Sequence, residues 1–142
     1  MKVYLSLTRL EDDEAYDHYR NIGRFANGVM NSEANEIICK DFLSSFSYEE
    51  VGGVIDIIIS KMRIGCELTI VEPDFYLVSK HIFRESINME DVNRLVFKGG
   101  ILKSILTVSD IESFFVNLNL QVVSKHFDEN FCRFIIKIRR TQ

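Results

Sequence analysis

Residues 36–41 read Glu36-Ile37-Ile38-Cys39-Lys40-Asp41, and residues 66–74 read Cys66-Glu67-Leu68-Thr69-Ile70-Val71-Glu72-Pro73-Asp74. Each is a short apolar run closed by an acid, or by an acid and a proline, and such runs predict buried strands. Between them Ser47, with Glu50 three residues on, has the form of a capping box, in which the hydroxyl takes a backbone N–H and the carboxylate reaches back. Val51, Val54, Ile55, Ile58 and Met62 then fall on one helical face. Gly52 and Gly53 sit inside this helix at about 1 kcal/mol each relative to Ala, a cost that close packing on a sheet would explain. The helix ends at Arg63-Ile64-Gly65, where glycine can take the left-handed cap. A strand, a helix and a strand in this order need a crossover, and a crossover implies parallel pairing.

Downstream, residues 75–85 predict a helix. A second starts at Asn88, with Asp91 in box position, and stops at Gly99-Gly100. Thr107 or Ser109 caps a third, striped by Ile111, Phe114, Phe115 and Leu118. Two strands near 120–127 and 131–139, joined by Asp128-Glu129-Asn130, form an antiparallel hairpin. Upstream, residues 2–7 alternate as a short strand. Residues 9–35 lose pattern, and a helix near 11–20 would have only Leu10, Ala15, Tyr16 and Tyr19 for its apolar face. The expected fold is α/β: an open, mostly parallel Rossmann-like sheet of about five strands, with helices on its faces and a C-terminal antiparallel hairpin. Residues 1–142 are read as one domain, with 8–34 irregular.

Composition narrows the function classes. With 142 residues and 46% hydrophobic side chains the chain can bury a core unaided, which excludes a disordered chain and a two-domain cofactor enzyme. A net charge of −4 argues against a phosphate backbone or an anionic membrane as the main partner. The short basic end Arg139-Arg140 does not reverse that. No apolar run approaches membrane-spanning length. The charged start Met1-Lys2 does not resemble a signal peptide, so a cytoplasmic protein is expected. Cys39, Cys66 and Cys132 lack paired spacing and read as buried, reduced thiols, Cys39 and Cys132 within strands. His18, His81 and His126 are scattered, so no metal site is expected. Gly99-Gly100 lacks the spacing of a phosphate loop and is better read as a helix cap. One Pro, few Ala and abundant Ile, Phe and Asn suit an AT-rich gene, as in a bacteriophage or another reduced genome.

Asp41 and Asp74 stand just past the C-terminal ends of two strands expected to be neighbours. Ligands of open α/β sheets bind along that edge. Asp41 and Asp74 are therefore the candidate catalytic carboxylates, with Glu72 able to assist. Their alternative role is to begin a turn or helix, where the dipole favours an acid.

From Asn35 to Arg140 the chain resembles the C-terminal half of a class I S-adenosylmethionine (SAM)-dependent methyltransferase. Three stretches carry the resemblance. Residues 36–46 resemble the fourth strand and the segment after it. Residues 60–74, Ser60-Lys61-Met62-Arg63-Ile64-Gly65 through Pro73-Asp74, resemble the helix end and fifth strand. Thr107 through Arg140 resembles the closing helix and hairpin. The resemblance implies SAM as cofactor. The positions that then stand where the family holds it are Ser6 and Thr8 after the first strand, and Asp41, Phe42 and Leu43 after the fourth. The family turns after its first strand on glycines, which let the backbone approach the ligand. Here Val3-Tyr4-Leu5-Ser6-Leu7-Thr8-Arg9-Leu10 contains none. The family also ends its second strand on an acid that binds the ribose. Glu11, Asp12, Asp13 and Asp17 could supply one.

Only 28 residues separate Leu7 from Glu36, whereas two strand–helix units need about 30 each. At least one, and in this reading both, of strands two and three are missing, which would leave strand one as a bare edge open to pairing. The chain is read as a minimised methyltransferase-like protein with weak or no catalysis. It would act as a binding or assembly module, as a homodimer or docked on a larger protein assembly. The alternative is an active small methyltransferase in which residues 8–34, with Gly23 and Gly28, build an unusual cofactor cradle.

Overall fold

A computed structural model describes residues 1–8, 14–115 and 118–142. The strands are β1 (Lys2–Leu5), β2 (Asp17–Tyr19), β3 (Ala34–Lys40), β4 (Met62–Pro73), β5 (Leu120–Asp128) and β6 (Arg133–Arg140). The helices are α1 (Ile22–Gly28), α2 (Tyr48–Lys61), α3 (Phe75–Phe83), α4 (Met89–Phe97) and α5 (Val108–Ser113). The strands form one six-stranded sheet in the order β2-β1-β3-β4-β6-β5. Pairing is parallel from β2 through β4, and β6 runs antiparallel to both β4 and β5.

Alternation along the strands decides which face is buried. Val3, Leu5, Ile37, Cys39, Cys66, Leu68, Ile70, Phe134, Ile136 and Ile138 share one face and are closed to solvent. They form a single core with Phe25 of α1, Val51, Val54, Ile55 and Ile58 of α2, and Ile111 of α5. Right-handed crossovers explain the common side, since β2–α1–β3 and β3–α2–β4 both advance in the same direction across the sheet. The opposite face carries Glu36, Ile38, Glu67, Thr69, Val71, Ile135 and Lys137, all half-buried. Among the described residues, neither hydrophobic cluster takes in Ile38, Val71 or Ile135. Parallel strands are usually covered on both faces and read as continuous apolar runs. Here polar residues alternate into β3 and β4, on the face that the described residues leave half-buried.

The N-terminal region corrects the sequence reading. Residues 17–19 are a strand and not part of a helix. Val3, Tyr4 and Leu5 pair in parallel with Asp17, His18 and Tyr19, so β1 is an interior strand and not a bare edge. The stretch 8–34, expected to be irregular, holds both β2 and α1, and the sheet has six strands where about five were expected. Three polar residues at an edge give no alternation to detect. Gly23 and Gly28 lie in α1 and build no loop. The acids Glu11, Asp12 and Asp13 lie outside the described residues.

Smaller differences have local causes. Ser47 precedes α2, yet its hydroxyl donates to the Glu50 carboxylate at 3.0 Å and makes no backbone cap. The reciprocal box forms at α5 instead, between Thr107 and Asp110. A β-carbon on Gly52 would sit 3.2 Å from the Phe114 ring, so that glycine makes room for α5 and not for the sheet, while Gly53 faces open space. Cys132 falls one residue before β6, at a left-handed φ of 49°. All three cysteines are buried and free. Burial, reinforced by Glu36 and Glu67, pushes the Cys66 thiol up to about 12. No helix among the described residues is long and apolar enough to cross a membrane.

Candidate functional site at the C-terminal edge of the sheet

The parallel strands β1, β3 and β4 end side by side, which brings Ser6, Asp41 and Glu72 to one edge. Asp41, just past β3, adopts a left-handed φ of 50°, costly for a residue other than glycine and tolerated best by Asp and Asn. That turn aims its carboxylate at the start of β6. Arg133 grips it with both terminal nitrogens, at 2.5 and 2.9 Å, and Lys98 adds a third bond at 2.9 Å. Burial raises the Asp41 carboxyl, but the hydrogen bonds and charges of Arg133 and Lys98 outweigh it and hold the group below its usual range. Lys98 itself sits at a φ of 43° and is followed by Gly99 and Gly100, both left-handed, so three unusual backbone conformations in a row turn it inward. The helix cap expected at Gly99-Gly100 is therefore present, with Lys98 as the left-handed residue.

Glu72 is fully buried at the end of β4. One of its oxygens accepts the backbone N–H groups of Phe42 and Leu43, at 3.1 and 2.8 Å, and the other accepts the Ser44 hydroxyl at 2.6 Å. Burial raises its carboxyl to about 7, against the lowering effect of the Ser44 and backbone bonds, and nearby Asp41 adds to the rise. Asp74 is also closed to solvent and caps α3, accepting from the Tyr76 backbone at 3.0 Å. Its second oxygen has no partner among the described residues, and burial raises this carboxyl too. The two candidate catalytic carboxylates thus have different fates. Asp74 begins a helix, as its alternative role required, and Asp41 neutralises a pair of cations.

At the β1 end Ser6 and Thr8 bond to each other. The buried Ser6 hydroxyl bonds the Thr8 hydroxyl at 3.1 Å and accepts the Thr8 backbone N–H at 3.2 Å. The Ser6 backbone N–H bonds to Tyr19, and a His18 ring nitrogen lies 3.1 Å from its carbonyl. Phe42 and Leu43 bury their side chains in the core and give their N–H groups to Glu72. The cofactor candidates are therefore gathered at one edge, but their polar groups are bonded within the chain. Among the described residues no group of His, Cys, Asp and Glu is placed to hold a metal ion.

No protein-family model matches the sequence, and no curated protein does. Solved structures match over most of the chain. An O-methyltransferase family protein from Burkholderia thailandensis aligns with 89% of it at a TM-score of 0.57 and 14% identity, using 36% of its own length. The magnesium protoporphyrin IX methyltransferase of Synechocystis PCC 6803, solved with bound SAH, aligns with 89% at 0.56 and 12% identity, over 51% of its length. The N-methyltransferase NodS from Bradyrhizobium japonicum WM9, in complex with SAH, aligns with 89% at 0.56 and 9% identity, over 55% of its length. The fold is the class I SAM-dependent methyltransferase fold. The chain spans from about a third to just over half of the length of these three proteins.

Against the methyltransferase fold, two site positions differ. The second strand, which the resemblance led one to expect to close on an acid, closes on Tyr19. Its ring meets Phe25 edge-on, and a β-carbon on Gly28 would lie 2.8 Å from its hydroxyl, so Tyr19 belongs to the α1 contact. The first strand leads into residues 6–16, eleven in all and without a glycine, before the chain enters β2. Sequence reasoning missed Lys98 and Arg133 as members of this edge. Lys98 was visible as the residue before Gly99-Gly100. Arg133 carried no signal, because its partner is 92 residues away.

Proposed function

We propose that this is a methyltransferase-fold protein that does not transfer methyl groups and serves as a binding module that self-associates. The observation that supports the first part is the link between β1 and β2. A parallel crossover usually takes a dozen residues or more, this one has eleven, and its sequence contains no glycine, the residue that lets a backbone approach a ligand closely. The bonded polar groups of Ser6, Thr8, Phe42 and Leu43 point the same way, so the residues present do not fit SAM. Calorimetric titration with SAM and with SAH should give no heat at millimolar ligand. Micromolar affinity would overturn the reading in favour of a small active methyltransferase, the alternative that likeness to SAH-bound enzymes supports.

Self-association has a different route from the one expected at β1. The sheet's edges are β2, short and polar, and β5, nine residues long with Val122, Val123 and Phe127 each more than 40% exposed. Long apolar edges pair readily, whereas very short ones do not. The β5 bulge near Val123 divides that edge into residues 120–122 and the longer run 124–128. A two-fold dimer continuing the sheet through β5 is the simplest closed assembly. Light scattering at micromolar concentration should report a dimer, and Phe127→Lys should return it to monomer. A wild-type monomer would count against self-association.

A further inference from the structure

Between α3, α4 and the turn joining β5 to β6 lies a cleft of about 810 Å³, within the size range of small-molecule sites. Its floor is apolar, from Ile87, Leu95 and Cys132, and Phe131, 66% exposed, stands among its lining residues. Three cations line it as well: Arg94, Lys98 and Arg133. Two of them are fixed from behind. Asp41, buried beneath the cleft, holds Arg133 and Lys98 through three hydrogen bonds, yet their side chains keep 23% and 35% exposure. Each retains donors that Asp41 does not use, since a guanidinium offers five and an ammonium three. The acids of the lining are occupied: Asp91 faces Arg94 at 3.4 Å, an arginine that Glu90 also pairs with at 3.0 Å, and Glu129 pairs with Lys80 at 3.1 Å. His81 is bonded to Ser86 and the Glu129 carbonyl.

We propose that this cleft is a binding site for a small aromatic anion, with its phosphate or carboxylate held by Arg133, Lys98 and Arg94 and its ring against Phe131 and Leu95. Two cations set rigidly by a buried carboxylate lose little freedom when an anion arrives, and that preorganisation favours binding. The backbone supports it, because Asp41 and Lys98 both hold left-handed conformations that bring their charges together, and such strain concentrates at ligand sites. Asp41 is shared with the edge of the cofactor candidates, but Ser6, Thr8, Phe42 and Leu43 do not line the cleft, so the SAM titration and the anion titration read different residues.

Amide chemical shifts followed during titration with phenyl phosphate, benzoate and neutral benzyl alcohol test it. Millimolar or tighter binding of an anion, with shifts centred on residues 130–133 and 94–98, is expected, at least about tenfold tighter than the alcohol. Arg94→Gln and Phe131→Ala alter exposed side chains that the fold does not need. Each should weaken binding several-fold at unchanged melting temperature. No anion-specific shift in those residues, or equal affinity for the neutral alcohol, would overturn the assignment.

Discussion

Arg133→Leu is expected to destabilise the fold by about 3–5 kcal/mol, the usual result of removing one partner from a buried ion pair. The Asp41 side chain is only 7% exposed, and the substitution takes away two of its three side-chain bonds. Lys98 would remain, but a single flexible ammonium replaces a two-point grip poorly. Lys98→Met should cost about 1 kcal/mol or less, because that side chain is 35% exposed and Arg133 still neutralises the acid. Asp41→Asn added to Arg133→Leu should recover much of the loss. It removes the stranded charge, and Asn accepts the φ of 50° nearly as well as Asp. Urea unfolding of the three variants reads all of this. If Arg133→Leu fell within about 1 kcal/mol of wild type, the pair would have no structural weight.

How far the fold can be read in advance depends on where each contact's information lies. The β3–α2–β4 unit is legible because its alternation is local: Cys66, Leu68, Ile70 and Glu72 point inward at every second position. The same period also carries Glu67 and Thr69 outward, onto a face that the described residues leave half-buried. β2 escapes such reading because Asp17, His18 and Tyr19 are held by backbone pairing to β1 and not by a buried stripe. The site divides in the same way. Asp74 as a helix cap follows from its neighbours, whereas Asp41 depends on Arg133 across the sheet and on a loop of left-handed residues ending α4. Glu72 shows a further limit. Its acceptors' partners are the backbone N–H groups of Phe42 and Leu43, which no side-chain pattern announces.

Glu72 should make the protein lose stability as pH rises from mildly acid to neutral. Its carboxyl stands at about 7 in the folded chain against an ordinary 4.5, so between those values the folded state keeps a proton that the unfolded state has released. The stabilising contribution is fully present below pH 4.5 and is lost by pH 7, an expected fall of about 3 kcal/mol at most. Asp74, also raised by burial, acts in the same sense from its own ordinary value of 3.8 upward. Asp41 acts in the opposite sense. Its lowered carboxyl contributes above 3.8 and loses that contribution only as the solution becomes more acid. Taken together, these three groups favour the fold most near pH 4, where Asp41 is already ionised and Glu72 still protonated. Glu72→Gln isolates the larger effect. Its carbonyl can still accept from Phe42 and Leu43, and its amide can donate to the Ser44 oxygen, but it never carries the charge that burial penalises. The variant should match wild type near pH 4.5, exceed it above pH 7, and abolish most of the intervening slope. Unfolding midpoints across that range that are flat in wild type, or a variant weaker than wild type at alkaline pH, would mean that Glu72 is stably charged. In that case its three hydrogen bonds, and not its burial, would govern the loop that closes the site.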